Sequence, residues 1–264
     1  MELPQLDLGF RRHGPRTVFD RRRFAWPYVL TRSFALDPDR PHLQTVIVQT
    51  SSGAMHGDDR LRQRLALGPG AAVHLTTQGA ASVHRADPGL CSGETLDLDL
   101  AAGALLEYLP QPRILFPGAR LLTAARIDCA PGAMLLLADA FTLHDPAGSG
   151  QLFARFTSET LLRLGGETRL LDRFDIEGLP RHFARHRAFG TLLLVAPLPA
   201  EPMQAACLAL NHALADSPGL YGAASLLPGA IGIGLRLAAA ELRQVRQATD
   251  LALGQLRPML PAAG

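Results

Sequence analysis

Between Pro41 and about Ile176, apolar residues recur at every second position in short stretches bounded by Gly and Pro. Leu61, Leu65 and Leu67 around Gln63 show the pattern, as do Leu96, Leu98 and Leu100. Alternation of this period turns one face of a strand to a core and the other to solvent, so the region is predicted to be β. One unit recurs within it. Leu65 to Leu75, Leu98 to Tyr108 and Ile127 to Leu137 each read as strand, Gly-containing turn, strand, with Gly70, Gly103 and Gly132 at the turns. Glycine takes the positive φ that such a change of direction needs. Repeats of this length predict a layered, solenoid-like sheet in which neighbouring units bury one another's apolar faces; a meander with a favoured turn is the plainer alternative.

After Gly190 the texture changes. Thr191 to Ala196 reads as a strand, and Pro202 suits the first turn of a helix with Met203, Ala206, Cys207, Leu210 and Leu214 on one face. Two short strands, Leu220 to Leu227 and Ala230 to Leu237, flank Pro228-Gly229. A last helix is expected from about Ala238 to Arg257, with Leu242, Val245, Thr249, Ala252 and Leu256 as its narrow apolar stripe. The fold class expected is therefore mainly β. A layered core (residues 1–189) is followed by a β-α-β-β-α portion (residues 190–264) that packs on it, since no long polar linker intervenes. The strand Leu192 to Val195 and the last helix carry more apolar surface than so small a tail is expected to bury, which predicts a partner-covered patch.

Composition narrows the chemistry. With 47% hydrophobic residues in 264, the chain has enough apolar material for a core; 19% charged residues, a formal charge of +2 and a mean hydropathy of +0.10 speak against a polycationic coat or a membrane protein. No apolar run reaches the roughly 18 residues of a membrane span, and the first ten residues lack a basic start followed by an apolar stretch, so a cytoplasmic location is expected. All 26 basic residues are arginine. Without lysine there is no Schiff-base amine, no phosphate-loop ammonium and no Ser-Lys dyad, because guanidinium does not deprotonate in proteins. Cys91, Cys129 and Cys207 show no CxxC spacing and read as buried free thiols.

Three segments stand out. Thr76-Thr77-Gln78 leads through Gly79 to Ser82-Val83-His84-Arg85, placing polar residues where the β pattern calls for apolar ones. Gly53 to Leu61 is a glycine-spaced loop containing Asp58 and Asp59. Leu106 to Arg120 carries Glu107 on an apolar strand that runs into Pro110 and Pro112. Neither proline donates a ladder hydrogen bond, so this stretch is a sheet edge or a rigid corner.

Together these segments resemble the UreD (UreH) family of urease accessory proteins. Thr76 to Arg85 matches the family's Thr-Thr-Gln strand motif, and Leu106 to Ala119 its Leu-Glu-(Trp/Tyr)-Leu-Pro segment. Ser52 to Leu61 is similar to its glycine loop, with Asp59 on the family aspartate, and Leu235-Arg236 and Leu256-Arg257-Pro258 are similar to its closing motifs. The resemblance is ordered and nearly full length. It implies a mostly β, non-enzymatic maturation factor that binds the accessory protein UreF, recruits the GTPase UreG, docks on apo-urease and passes nickel to the urease active site. It further implies no tightly held cofactor, nickel being in transit. The residues assigned to the nickel route are Asp59, Thr76, Thr77, Gln78 and Glu107, polar groups suited to weak, successive contacts. Gly53, Gly57, Arg85, Pro110 and Pro112 are assigned structural roles.

Two other readings compete. One is metal-assisted hydrolysis by Asp58 or Asp59 with a histidine. The other is an arginine-dependent nucleic-acid binder, disfavoured by the near-neutral charge and 6% aromatics. His182 and His186 have the i,i+4 spacing of metal ligands, but the arginines around them repel a cation. His56, His74 and His84 lie in or beside the resembling motifs as further candidates for a transient nickel contact.

Overall fold

A computed structural model describes residues 3–179 and 185–260. His182 lies outside these residues, and with it the geometry of the His182/His186 pair.

The three repeat units form the centre of the protein. Strand β6 (Arg60–Leu67) turns at Gly70 into β7 (Ala72–Thr77); β9 (Ser92–Leu100) turns at Gly103 into β10 (Leu105–Tyr108); β12 (Arg120–Cys129) turns at Gly132 into β13 (Met134–Leu143). The two strands of a unit do not pair with each other. Each turn carries the chain from one sheet to the other, and every strand pairs in parallel with its counterpart in the next unit: β6 with β9 and β9 with β12, β7 with β10 and β10 with β13. The three turn glycines have φ of 65°, 69° and 83°, and a Cβ on Gly103 would lie 3.8 Å from the Gly70 nitrogen, so the turns stack at contact distance. The expected layering is present, as two facing sheets.

The first sheet has seven strands, in the order β15 (Glu167–Ile176), β14 (Arg155–Leu164), β12, β9, β6, β1 (Leu6–His13), β2 (Arg16–Phe24). The second has eleven. Its main path runs β17 (Leu220–Leu226), β18 (Gly232–Ala239), β16 (Ala188–Val195), β13, β10, β7, β4 (Leu43–Thr50), β3 (Tyr28–Leu30). The short strands β5 (Ala54–Met55), β8 (Ala81–Val83) and β11 (Arg113–Leu115) continue the lines of β4, β7 and β10 after an interruption, and β11 rejoins β13. Those interruptions are residues 51–53, 78–80 and 109–112, which fall in or at the start of the three segments that stand out in the sequence. Pro110 and Pro112 thus make a corner between two strands of one sheet, held where Ala81 N–H donates to the Pro112 carbonyl at 3.2 Å.

The β region begins earlier than the pattern from Pro41 indicates. Strands β1 to β3 precede it, and they escape the period-2 reading because the Leu6, Leu8, Phe10 alternation is short and gives way to arginines, β2 is an edge strand rich in arginine, and β3 has only three residues. The C-terminal order strand, helix, strand, strand, helix is as expected. Helix α1 (Ala200–Ala215) buries Met203, Cys207, Leu210 and Leu214; helix α2 (Leu242–Leu256) buries Val245, Ala248, Ala252 and Leu256. Both cover the outer face of the second sheet. Strand β16 straddles residues 189 and 190 and lies between β13 and β18 in that sheet.

The strand half of one expectation about the tail is overturned. Leu192 to Val195 leaves no apolar surface over, each residue being 5% exposed or less. The strand is sandwiched: Leu193 and Val195 join the core between the sheets, while Leu192 and Leu194 join the core under the helices. Of the three thiols, Cys129 and Cys207 are buried as expected and Cys91 is half-buried.

Strand β18 approaches β16 so closely that a Cβ on Gly232 would lie 1.8 Å from the Leu194 carbonyl oxygen, a backbone atom that cannot swing away. Gly232→Ala is therefore expected to lower stability by at least about 3 kcal/mol, the upper part of the range for overpacking. Denaturant melts compare it with wild type; an unchanged midpoint would mean that the two strands do not meet so tightly.

Candidate functional site

The space between the sheets is not uniformly apolar. One cluster of buried residues, including Leu65, Leu98, Ile127 and Leu162, fills the end nearest the stacked turns, and a second, including Met55, Leu121, Phe141 and Phe156, fills the other end. Between them runs a polar belt. Period-2 alternation sends Gln63, Glu94, Thr123, Ser158, Thr160 and Asp172 inward from the first sheet, and in-register pairing lines them up: Glu94 beside Thr123, Thr123 beside Ser158, Thr160 beside Asp172. The second sheet supplies Thr77, Tyr108, Arg113, Asp139 and Arg236.

These groups bridge the sheets. The Tyr108 hydroxyl donates to Gln63 Oε1 at 3.2 Å. Arg113 donates through Nε to Glu94 Oε2 at 2.6 Å and also pairs with Asp139. Arg236 pairs with Asp172 and lies 3.4 Å from Thr191 Oγ1. Burial disfavours the charge on Arg113, but Asp139 and Glu94 overcome it and hold the guanidinium firmly protonated. Burial pushes the Tyr108 hydroxyl up, so it stays a neutral donor.

Four cavities follow the belt and share walls. The first, about 360 Å³, opens at the strand interruptions and is lined by Thr77, Gln78, Pro110, Gln63, Glu94 and Arg113 among others. The next two are narrow, about 50 and 30 Å³, and both are lined by Asp139, Ser158 and Thr160. The last, about 500 Å³, is more apolar, with Phe174, Phe189 and Tyr221, and shares Asp139 and Arg236 with its neighbour. The buried Thr123 hydroxyl beside the second cavity has no hydrogen-bond partner among the described residues, an arrangement that costs about 1–3 kcal/mol in a dry interior.

The five residues assigned to a route are not brought together. Thr77 and Gln78 line the first cavity. Thr77 Oγ1 also accepts the Gln111 N–H at 2.9 Å, and Gln111 Oε1 in turn accepts from Arg246 of α2 at 3.0 Å. Thr76 and Glu107 are corrections of placement: each is one residue out of phase with an inward neighbour, Leu75 or Tyr108, and so faces away from the cavities. Asp59 closes its own turn, its Oδ2 accepting the His56 N–H at 2.8 Å. Among the structural assignments, Gly53 and Gly57 lie on either side of β5, and Arg85 packs over Gly118 and bridges to Ala119.

Glu107 is fully buried under the C-terminal end of α2. Arg257 Nε donates to its Oε1 at 2.9 Å and Arg257 Nη2 to its Oε2; His74 Nδ1 lies 2.8 Å from Oε2 and, facing an ionised carboxylate, is the donor. Arg40 stands 4.0 Å away and donates to the Arg257 carbonyl at 2.8 Å. Burial raises the Glu107 pKa, but His74 and Arg257 outweigh it and hold the carboxyl at about 2. The group is a clamp joining two motifs 150 residues apart.

Another feature escaped the sequence. His56, His84, Phe116 and His144 follow β5, β8, β11 and β13 and form a ladder of rings, with centroids 4.5, 4.6 and 5.0 Å apart. Burial and the neighbouring His56 lower the His84 pKa. The belt residues Glu94, Arg113, Asp139, Asp172 and Arg236 were missed as well. The signal for Asp139 lies in its inward file, Leu135, Leu137, Asp139, Phe141, Leu143, where a single carboxylate interrupts the apolar positions. Among the described residues no group of three or more His, Cys, Asp or Glu is arranged to hold a metal ion, and no helix is long and apolar enough to cross a membrane.

Two facing sheets of parallel coils around a polar belt, with a C-terminal pair of helices clamped on the outside, define a mainly β protein with a polar, cavity-lined interior. The sequence model of the UreD urease accessory protein family matches residues 3–263, and the chain belongs to that family. It is 51% identical over 258 residues to "Urease accessory protein UreD 2" of Bradyrhizobium sp. strain BTAi1, covering 97% of this chain and 90% of that protein. It is 50% identical to the protein of the same name from strain ORS 278, covering 96% and 89%, and 36% identical to "Urease accessory protein UreD 1" of Methylorubrum extorquens strain PA1, covering 89% and 81%. These relatives are named as accessory proteins and not as enzymes.

The clamp makes a signed prediction. The Glu107 pKa lies below its ordinary 4.5, so its stabilising contribution is complete above about pH 4.5 and is lost as the pH falls through about 2. That contribution is about 3 kcal/mol. Glu107→Gln is expected to lower stability at pH 7 by about 3 kcal/mol or more, since it leaves Arg257 without its anion, and the gap from wild type should shrink between pH 4.5 and pH 2. Denaturant melts across that range decide it; a gap that does not change with pH would place the effect elsewhere.

Proposed function

We propose that this chain is a urease maturation scaffold that binds UreF and UreG, docks on apo-urease and conducts nickel through its interior to the urease active site. The observation that carries the reading is the file of four wall-sharing cavities along the polar belt. One guanidinium, Arg113, faces two carboxylates, Glu94 and Asp139, which leaves that stretch net negative. A divalent cation entering past Thr77 and Gln78 meets hydroxyl, amide and carboxylate oxygens one or two at a time. Contacts of this kind hold an ion weakly enough to release it, and they suit oxygen-loving divalent cations in transit. The Asp58/Asp59 hydrolase reading gains nothing from the geometry, because the Asp59 carboxylate is engaged with a backbone amide in its own loop.

Thr160 lines both narrow cavities and so tests the route where it is tightest. Thr160→Leu places a larger apolar side chain there while keeping a strand-compatible residue. The variant is expected to melt like wild type and to bind UreF, yet to yield urease lacking most of its nickel when metal content is measured after maturation. Full nickel content with this variant would rule out the interior route.

A further inference from the structure

We infer that the edge strand β2 and the corner after it form a docking surface for an acidic polypeptide, with Trp26 as its anchor. The inference rests on the maturation reading insofar as it supplies the partners to be tested. Strand β2 ends the first sheet and β3 ends the second, so at this side of the protein both sheets present backbone that no neighbouring strand pairs. Residues 3–35 contain seven arginines and two aspartates. Both aspartates are taken, Asp7 by Arg21 at 2.7 Å and Asp20 by Arg11 at 3.6 Å. Arg16 and Arg23 are exposed and have no carboxylate partner among the described residues.

Arginine on an edge strand protects against unwanted pairing, and by itself needs no partner to explain it. Exposed aromatics beside it are not explained that way. Trp26, the single tryptophan of the chain, is 72% exposed, and Phe24 is 42% exposed. Tryptophan with arginine is the composition of an interface centre. The corner is also rigid in advance. Arg22 donates to the Leu30 and Thr31 carbonyls at 2.8 and 2.7 Å and lies 5.7 Å from the rings of both Phe19 and Phe24, so little ordering remains to be paid on binding.

The backbone decides what kind of partner fits. Nucleic acid or a lipid headgroup would neutralise the arginines but leave the unpaired amides and carbonyls of β2 unmatched, whereas an extended acidic segment satisfies both. A register shift leaves Asp20 without a partner in β1, which confines the regular part of the edge next to Trp26 to Arg21–Phe24. The pairing segment is therefore short, and the indole supplies the apolar contact.

Because tryptophan occurs once, the full chain labelled with 5-fluorotryptophan gives one fluorine NMR signal, and that signal reports on this surface alone. It is titrated with apo-urease, with UreF, with duplex DNA and with phosphatidylserine vesicles. The signal is expected to shift with one of the two proteins, less so as salt is raised, and to stay put with DNA and vesicles. Arg16→Glu combined with Arg23→Glu should weaken that protein's binding about tenfold or more with no change in melting temperature, since neither arginine supports the fold. Trp26→Ala should weaken it comparably. A protein that binds with the fluorine signal unmoved would overturn the docking surface and leave the maturation reading standing. An equal shift with DNA or vesicles would overturn the polypeptide assignment. If neither protein binds the wild-type chain, the surface and the reading beneath it fall together.

Discussion

In-register parallel pairing leaves no freedom over which residue of one coil meets which residue of the next. Once Gly70, Gly103 and Gly132 stack, Leu61 must lie beside Glu94, Glu94 beside Thr123 and Thr123 beside Ser158. A polar residue at one inward position of one coil would be an isolated defect. The same level made polar in coil after coil becomes a line that crosses the whole interior. Stacking likewise aligns the breaks in β4, β7 and β10, so that three short irregular segments, each harmless by itself, add up to an opening through the second sheet.

Such a line is costly, and its cost explains the bridges that span it. Buried carboxylates without partners would be forced to protonate or would drive the sheets apart. Arg113 holds Glu94 and Asp139, Arg236 holds Asp172, and Tyr108 holds Gln63, so each bridge ties the sheets together at the level where apolar packing is missing. The apolar clusters on either side keep the sandwich closed. Outside the second sheet the Glu107 clamp does related work for α2, whose apolar stripe of Val245, Ala248, Ala252 and Leu256 is narrow and whose end is pinned by Arg257. The clamp and the belt use the same chemistry on opposite faces of one sheet.

The repeat, its turns and the C-terminal element order were legible because each is written locally, in alternation, glycine spacing and helical stripes. What escaped was a matter of parity and of distance. Thr76 and Thr77 are adjacent in sequence, yet only Thr77 reaches a cavity, and nothing within the motif tells which face a strand will turn inward. Glu107 looked like a ligand because it is a carboxylate on an apolar strand; its partner Arg257 is 150 residues away and could be joined to it only by the fold. Strand β2 went unread because an edge strand buries too little to show a strong alternation, and β1, though interior, alternates over only Leu6, Leu8 and Phe10 before it runs into arginines. Arg113 was passed over for the opposite reason, since in the sequence it looks like one more arginine among 26.

The belt's charge arrangement also sets how an ion would move along it under the proposed reading. Glu94 and Asp139 are joined through one guanidinium, so a divalent cation gains a carboxylate only by loosening its bond to Arg113, and it is repelled by the same guanidinium as it approaches. Under that reading, what the ion gains from a carboxylate is offset in part by what the carboxylate loses to Arg113, which weakens the ion's hold on any one site. Toward the far end Asp172 is already matched by Arg236 and the walls become aromatic, with Phe174, Phe189 and Tyr221, so the last cavity offers an ion little to hold it. An ion binds best where the carboxylates outnumber the arginines and least where it would leave, an order that favours release only when a stronger set of ligands waits beyond the mouth.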